Sequence, residues 1–511
     1  MLERTCARAF GSAARSAAAC STQKTSRTPH AEKKGILFFL KRFGFFPFVR
    51  SEHNPISTRN ENKNMTTLCL RKSIGRENRK KYMNRHTHNN FLAFVTATLV
   101  GAVLLVRPAL ATELIGQVTR VHLVDHIYEY SYVISTGNDQ YHRVGVHRVV
   151  QEQDGSPQHC DQAIFMVHGD AWAFNAAFLR GTFSPDSLPV FLARRGVDVW
   201  GIDLGWTLVP GDTNDFTFMR HWGLQRDIDD LEQALSFARS VRTQTGSPDN
   251  RLVLLGWSRG GWTCYGLLNQ ESQMRIEQRN VRAYIPVDTS LKIQDPTIKA
   301  TICGFADSTA ADLAAGIYAY NRAVDVELGQ LAITDPNGVS PIFGPPYTNL
   351  DASLTVGAAL YQLGGYFAEF YHFVGGTFPG GDIWGIPDGL VYTSIPEWNN
   401  FLVSVSPFEA VRMIYDTYTI SCGAGSSRFD NHLNDITVPV LYVGAGGGFG
   451  RNGLYTLTLL GSQDVSSLIV SFYPPEQAAL DFGHVDLFDA QDAGDLVWSP
   501  IYRWLSTHEG Q

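Results

Sequence analysis

The sequence predicts an α/β fold with a mostly parallel sheet covered by helices on both faces. Short, continuously apolar runs such as Ala163–Val167 and Leu252–Leu255 alternate with helical segments. Such runs have no solvent-facing side, as expected of strands buried on both faces. Composition agrees: the 511 residues are 44% hydrophobic and only 18% charged. Such a chain can bury a large core, which excludes general disorder, a collagen-like repeat or a long coiled coil. The net charge of −7 gives no global attraction to nucleic acid.

The first 82 residues carry 18 Lys and Arg against 5 Asp and Glu, whereas the remainder is acidic. Arg85, the apolar run Phe91–Val106 and Ala109-Leu110-Ala111 then follow the order of a secretory signal, with cleavage before Thr112. Sixteen apolar residues span about 24 Å as a helix, short of a bilayer's hydrocarbon core, so a cleaved signal is favoured over a membrane anchor. Residues 83–111 are therefore read as a signal peptide and 1–82 as a leader outside the fold. Either Met83 is the true start, or the Ala-, Arg- and Ser-rich opening is a mitochondrial transit peptide. The mature chain is expected to be secreted or periplasmic, without a stable membrane span.

From Thr112 the chain opens with β pattern over Gly116–Ile134 and Tyr141–Val150, broken by a turn at Ser135–Asp139. Ala163–Val167 is a buried strand ending at His168-Gly169. Leu188–Arg195 reads as helix and Val197–Ile202 as the next strand. Trp222–Gln244 places Leu224, Ile228, Leu231, Leu235 and Ala238 on one helical face. Strands at Arg251–Leu255 and Val281–Val287 flank a helix over Gly260–Gln273. Alternation stops from Thr289 to Asp435, a helical and loop-like block rich in Gly and aromatics. It resumes with Val438–Val443, Ser467–Tyr473 and a last helix near Leu496–Leu505. The core is thus 112–288 with 436–511, and residues 289–435 are inserted between the sixth and seventh predicted strands.

Gly256-Trp257-Ser258-Arg259-Gly260 joins a strand directly to a helix. In that context GxSxG is a nucleophile elbow: the glycines allow a sharp turn and close backbone approach, and the turn lifts the Ser258 hydroxyl above the sheet edge. A serine needs a base, and His484 lies in a polar loop between the last predicted strand and the last helix, where it can reach that edge.

With His168-Gly169 after the third strand, this elbow and Gly483-His484 near the end, the chain resembles the α/β-hydrolase superfamily from about Gln117 to Leu505, apart from the insert. The resemblance implies a triad in the order Ser…acid…His. Its usual acid position, after Val438–Val443, reads Gly444–Gly453 here and holds no carboxylate. Asp288, ending the preceding strand, is the expected acid. Asp464, Asp481 and Asp486 compete, with Asp486 expected rather to support the histidine loop. The resemblance also implies an oxyanion hole made by the backbone N–H groups of Asp170 and Arg259, with a purely structural His168 side chain.

The insert takes the place of a lid. Tyr361, Tyr366, Phe367, Phe370, Tyr371, Phe373, Phe378 and Trp384 could line an apolar pocket or form the insert's own core. Cys303 and Cys422 could staple its base, with Cys264 buried and free. The sequence has no Walker loop, no HExxH and no paired CxxC, and Gly444–Gly450 lacks a GxGxxG–helix context. No cofactor and no metal are therefore expected. The function expected is a serine hydrolase of small or lipid-like carboxylic esters. Acyl transfer or amide cleavage on the same triad, and a non-catalytic ligand-binding protein on the same fold, remain alternatives.

Overall fold

Nine strands hydrogen-bond in the spatial order β1-β2-β3-β5-β4-β6-β7-β8-β9 of a larger sheet in the computed structural model, which describes residues 113–179, 186–364, 368–423 and 427–508. The expected leader and signal segment, together with Tyr366 and Phe367, lie outside the described residues. β1 (Thr119–Val124), β2 (Ile127–Ser135) and β3 (Arg143–Gln153) form an antiparallel margin. The parallel part comprises β4 (Ala163–Val167), β5 (Asp198–Asp203), β6 (Leu252–Trp257), β7 (Val281–Val287), β8 (Val440–Ala445) and β9 (Val465–Val470). The sequence pattern merged β1 and β2 into one stretch. They are a hairpin turning at Asp125, whose φ of +51° an aspartate tolerates better than most residues. With the extra strand counted, the insert lies between β7 and β8.

β4, β6 and β7 are buried along their whole length, which explains their unbroken apolar sequences. Helix α1 (Leu188–Ala193) precedes β5, and α2 (Leu224–Gln244) leads to β6. The α2 residues Leu224, Ile228, Leu231, Leu235 and Ala238 are all buried, as their spacing predicts. α3 (Arg259–Glu271) leaves β6 at once and is buried over most of its surface.

The order of the sheet places a site. The chain leaves β4 for β5 on one side and returns to β6 on the other side, so a crevice opens at the carboxyl ends of β4 and β6. The residues that follow those two strands are His168-Gly169-Asp170 and Ser258.

The segment between β7 and β8 contains α4 (Pro296–Ala314), α5 (Ala323–Thr334), α6 (Asn349–Ala358), α7 (Ile395–Val403) and α8 (Val411–Cys422). Capping boxes start α6 at Thr348/Asp351 and α7 at Ser394/Glu397, so polar side chains satisfy their first amides. Cys303 on α4 is disulfide-bonded to Cys422 at the end of α8, across 119 residues. Closing a loop of that length stabilises a fold by roughly 4 to 5 kcal/mol in the chain-entropy picture. Cys264 is buried and free. The described sheet ends at β9, and α9 (Ser499–Thr507) closes the chain.

One buried charge cluster ties the antiparallel margin to the parallel strands. His147 on β3 bonds Glu129 through Nδ1 at 2.8 Å and Asp203 through Nε2 at 3.0 Å. Burial alone would favour the neutral ring, but the charge of Asp203 and the hydrogen bonds of both carboxylates outweigh it and push its pKa up to about 10. Relative to an unfolded histidine near 6.5, the resulting stabilisation is complete below about pH 6.5 and is lost as pH rises through about 10. The melting temperature is therefore expected to fall between pH 7 and 10, and His147→Gln to flatten that slope. Equal slopes for the two proteins in a thermal-unfolding series across this range would contradict the assignment.

Candidate active site

Ser258 stands between β6 and α3 with φ +55° and ψ −127°, a conformation rarely adopted by a non-glycine residue. Its N–H donates to Val287 O at 2.9 Å, and its carbonyl accepts from Gly261 N at 3.0 Å, so the strained turn is held from both sides. The flanking glycines are required by space. A Cβ at Gly260 would lie 2.3 Å from His168 O, and one at Gly256 would lie 2.7 Å from Cys264 Sγ. Gly169 presses on the serine itself, since a Cβ there would meet Ser258 Cβ at 2.7 Å. Ser258 is half-buried, at the first turn of α3, where helix amides lack intrahelical partners.

Asp288 and His484 meet beside this turn. His484 Nδ1 lies 2.6 Å from Asp288 Oδ2, and both side chains are almost fully buried. Asp288 follows β7 directly and has φ +40°. Its carboxylate accepts N–H groups from Ala445 at 2.9 Å, Phe449 at 3.0 Å and Gly450 at 3.0 Å. The glycine loop after β8, which carries no carboxylate, is thus the receptor for one arriving from the neighbouring strand. Gly448 makes the fit possible: a Cβ there would lie 1.9 Å from Asp288 Oδ2.

The imidazole of His484 stacks on Trp257, the residue before Ser258, with centroids 4.9 Å apart. Tyr371 and Phe449 flank it at 5.5 and 5.8 Å. The histidine loop is fixed by Asp486, which accepts from Gly483 N at 2.7 Å, Gly375 N at 2.8 Å and Thr393 Oγ1 at 2.6 Å. Burial pushes the Asp486 pKa up to about 6 in spite of these bonds. The competing carboxylates are engaged elsewhere. Asp464 faces His508 at 3.2 Å, and Asp481 binds the N–H groups of Phe472 and Phe482, each at 2.8 Å.

After β4, the fully buried His168 accepts the Leu204 N–H at Nε2, 3.2 Å away, and so carries its proton on Nδ1, 2.9 Å from Gly169 O. Burial lowers its pKa and keeps the ring neutral. Asp170–Trp172 forms a γ-turn, with Trp172 N donating to Asp170 O at 2.7 Å around Ala171 at φ +64°. The Asp170 carboxylate grips the guanidinium of Arg259 at two points, one of them Nη2 to Oδ2 at 2.6 Å. Sequence reasoning singled out only the backbone amides of these two residues. Their side-chain pairing joins sites 89 positions apart and has no motif that would reveal it.

The insert's aromatics divide. Tyr371 and Phe373 turn toward His484, whereas Tyr361 and Phe378 belong to a small separate cluster against which Phe370 packs, and Trp384 is exposed. The glycine loop also lines a cavity of about 700 Å³, bordered by Ile298, Phe370, Phe449 and Tyr473 and not by Ser258. Among the described residues no cluster of His, Cys, Asp or Glu could hold a metal ion, and no helix is long and apolar enough to cross a membrane.

No protein-family model matches the chain, and no curated protein matches its sequence. Solved structures share its fold. A candidate lipase from Sulfolobus solfataricus aligns at 17% identity over 78% of this chain and 99% of its own, with a TM-score of 0.52. A soluble variant of monoglyceride lipase from Saccharomyces cerevisiae aligns at 14% identity over 77% and 96%, with a TM-score of 0.37. A thermophilic esterase from Thermogutta terrifontis aligns at 10% identity over 77% and 100%, with a TM-score of 0.38. At these identities the likeness is one of fold.

Proposed function

We propose that this chain, which has the α/β-hydrolase fold, is a serine hydrolase that cleaves carboxylic esters through an acyl-enzyme on Ser258. The observation that carries this reading is the buried 2.6 Å contact of Asp288 with His484, whose ring stacks on the residue preceding a strained serine. In this account Ser258 Oγ attacks the ester carbonyl while His484 Nε2 takes its proton. Asp288 holds the proton on Nδ1 and stabilises the imidazolium. The N–H groups of Asp170 and Arg259 receive the developing oxyanion, a contribution of about 3 kcal/mol per donor. His484 then returns the proton to the departing alcohol, and water activated by the same imidazole releases the acid. The aromatic surroundings of His484 favour an apolar acyl or alkyl group on the substrate.

A fluorophosphonate probe tests this directly. It is expected to add one phosphonyl group to the protein, at Ser258, and to leave Ser258→Ala unlabelled. Labelling at another serine would remove the basis of the proposal.

Export is part of the same proposal, supported by the Arg85, Phe91–Val106 and Ala109–Ala111 arrangement. N-terminal sequencing of the exported protein is expected to begin at Thr112. A mature chain that still carries residues 1–82 would contradict it.

A further inference from the structure

The Asp170–Arg259 pair does not stand alone. Two short strands of the insert, Ala319–Asn321 and Phe408–Ala410, pair antiparallel beside it. They bring Arg322 and Glu409 to the turn after β4, both only 3% exposed. Glu409 faces the Asp170 carboxylate. Arg322 lies 3.1 Å from Asp325 and 3.9 Å from Glu409. Arg259 is held from the insert too, donating to Thr417 Oγ1 on α8 and lying over the Tyr418 ring. The backbone is stitched along the same seam. Ser406 N donates to Ala171 O at 2.7 Å, and Trp172 Nε1 donates to Phe401 O at 2.7 Å.

Charge decides the state of this cluster. Two guanidinium groups, Arg259 and Arg322, are buried with the carboxyl groups of Glu409 and Asp325, while the Asp170 side chain remains 32% exposed. Two carboxyls can hydrogen-bond each other only if one carries a proton. Of the two, Asp170 reaches solvent whereas Glu409 is buried, and burial favours the neutral form of the deeper acid. Asp170 is bonded to Arg259 at two points, whereas Glu409 has Arg322 only at 3.9 Å, so the proton belongs to Glu409. Its pKa is raised well above the ordinary carboxylate value, by burial first and by the charge of Asp170 next. The remaining titratable groups facing it are the Tyr320 and Tyr418 phenols.

We propose that Glu409 is a positioning residue for ester hydrolysis: as a neutral acid supplied by the insert, it holds Asp170 against Arg259 and so fixes both oxyanion-donating amides. This rests on the serine hydrolase reading above. Asp170 and Arg259 each contribute a side chain to the cluster and a backbone N–H to the oxyanion hole, so a shift of the cluster moves both donors. Donor geometry matters at the level of tenths of an ångström, and a misplacement of 1 Å can cost about 10²-fold in rate.

Kinetics of Glu409→Ala and Glu409→Gln across pH test the proposal. Glu409→Ala is expected to lose about 10²-fold in kcat with little change in KM. Glu409→Gln keeps a donor toward Asp170 at every pH, and is expected to restore most of that loss. The wild type is expected to lose kcat on the alkaline side as Glu409 ionises against Asp170, and Glu409→Gln to lack that decline. Wild-type kcat in Glu409→Ala, failure of Glu409→Gln to rescue, or the same alkaline decline in wild type and Glu409→Gln would each overturn it. Glu409→Gln is isosteric, so its pH profile decides the matter even if Glu409→Ala does not fold. Fluorophosphonate labelling of Ser258 in the wild type separates the two failures: if it persists while these kinetics are unaltered, only the role of Glu409 is lost.

Discussion

Replacing Ser258 by alanine is expected to lower kcat for ester hydrolysis by about 10⁶-fold, and His484→Ala to do nearly the same. The two groups serve one proton transfer, so the double variant should be little worse than either single change. What remains in each should be the smaller catalysis of the oxyanion donors and binding alone. The fold should survive both changes. Ser258 is half-buried, and its turn is held by backbone hydrogen bonds to Val287 and Gly261 that alanine retains. Loss of His484 removes one partner of Asp288 but leaves the three amides of Ala445, Phe449 and Gly450 on its carboxylate. Steady-state kinetics with a chromogenic ester, beside thermal unfolding, check this. Near-normal turnover in a folded Ser258→Ala protein would exclude the elbow as the nucleophile.

Asp288→Asn is expected to reduce kcat by about 10⁴-fold at neutral pH. Two effects combine. The negative charge opposite the imidazolium disappears from a buried site. The amide NH₂ would also face Nδ1, driving the proton to Nε2, which must be bare to receive the serine proton. The amide oxygen can still accept from Ala445 and Gly450, but Phe449 N–H then meets a donor. A stability loss of about 1 to 3 kcal/mol is expected for that unsatisfied amide. Asp288→Ala would strand all three amides and so confuses folding with catalysis, which makes asparagine the informative change. Retention of more than a tenth of wild-type kcat by a folded Asp288→Asn protein would remove Asp288 from the catalytic account.

The acid shows how far the sequence could be read. Val281–Val287 is apolar without a break, so a strand ending at Asp288 was legible, as was the absence of any carboxylate between Gly444 and Gly453. What joins the two facts is three-dimensional. β7 and β8 are parallel neighbours, and Val443 pairs with Val287, which sets the empty glycine loop beside Asp288. The sequence places a run of glycines at 446–448. Its reason is crowding, since Cβ atoms there would strike Asp481, His372 and Asp288 in turn. Helix α2 was legible to within two residues because its apolar stripe has a helical period, whereas the β1–β2 hairpin was missed because only Asp125 and His126 make the turn.

The insert was least legible. Its aromatic richness gave no means of telling Tyr371, which faces the histidine, from Trp384, which is exposed. Arg322 and Glu409 are single ionisable residues 87 positions apart with no local pattern. They matter only because antiparallel pairing of Ala319–Asn321 with Phe408–Ala410 buries them beside Asp170. The disulfide between Cys303 and Cys422 joins α4 to α8, and α8 also supplies Thr417 and Tyr418 to Arg259. The insert is therefore part of the site's framework as well as a neighbour of it.

Passage of an acyl group through Ser258 is tested most directly by intact-mass and peptide-level mass spectrometry of protein quenched in acid during turnover of an activated ester. A mass increase equal to one acyl group is expected on the peptide that contains Ser258, decaying as the ester is exhausted and accumulating more strongly when water attack is slowed. Turnover of the ester with no acyl adduct at Ser258, or with the adduct on another residue, would contradict it.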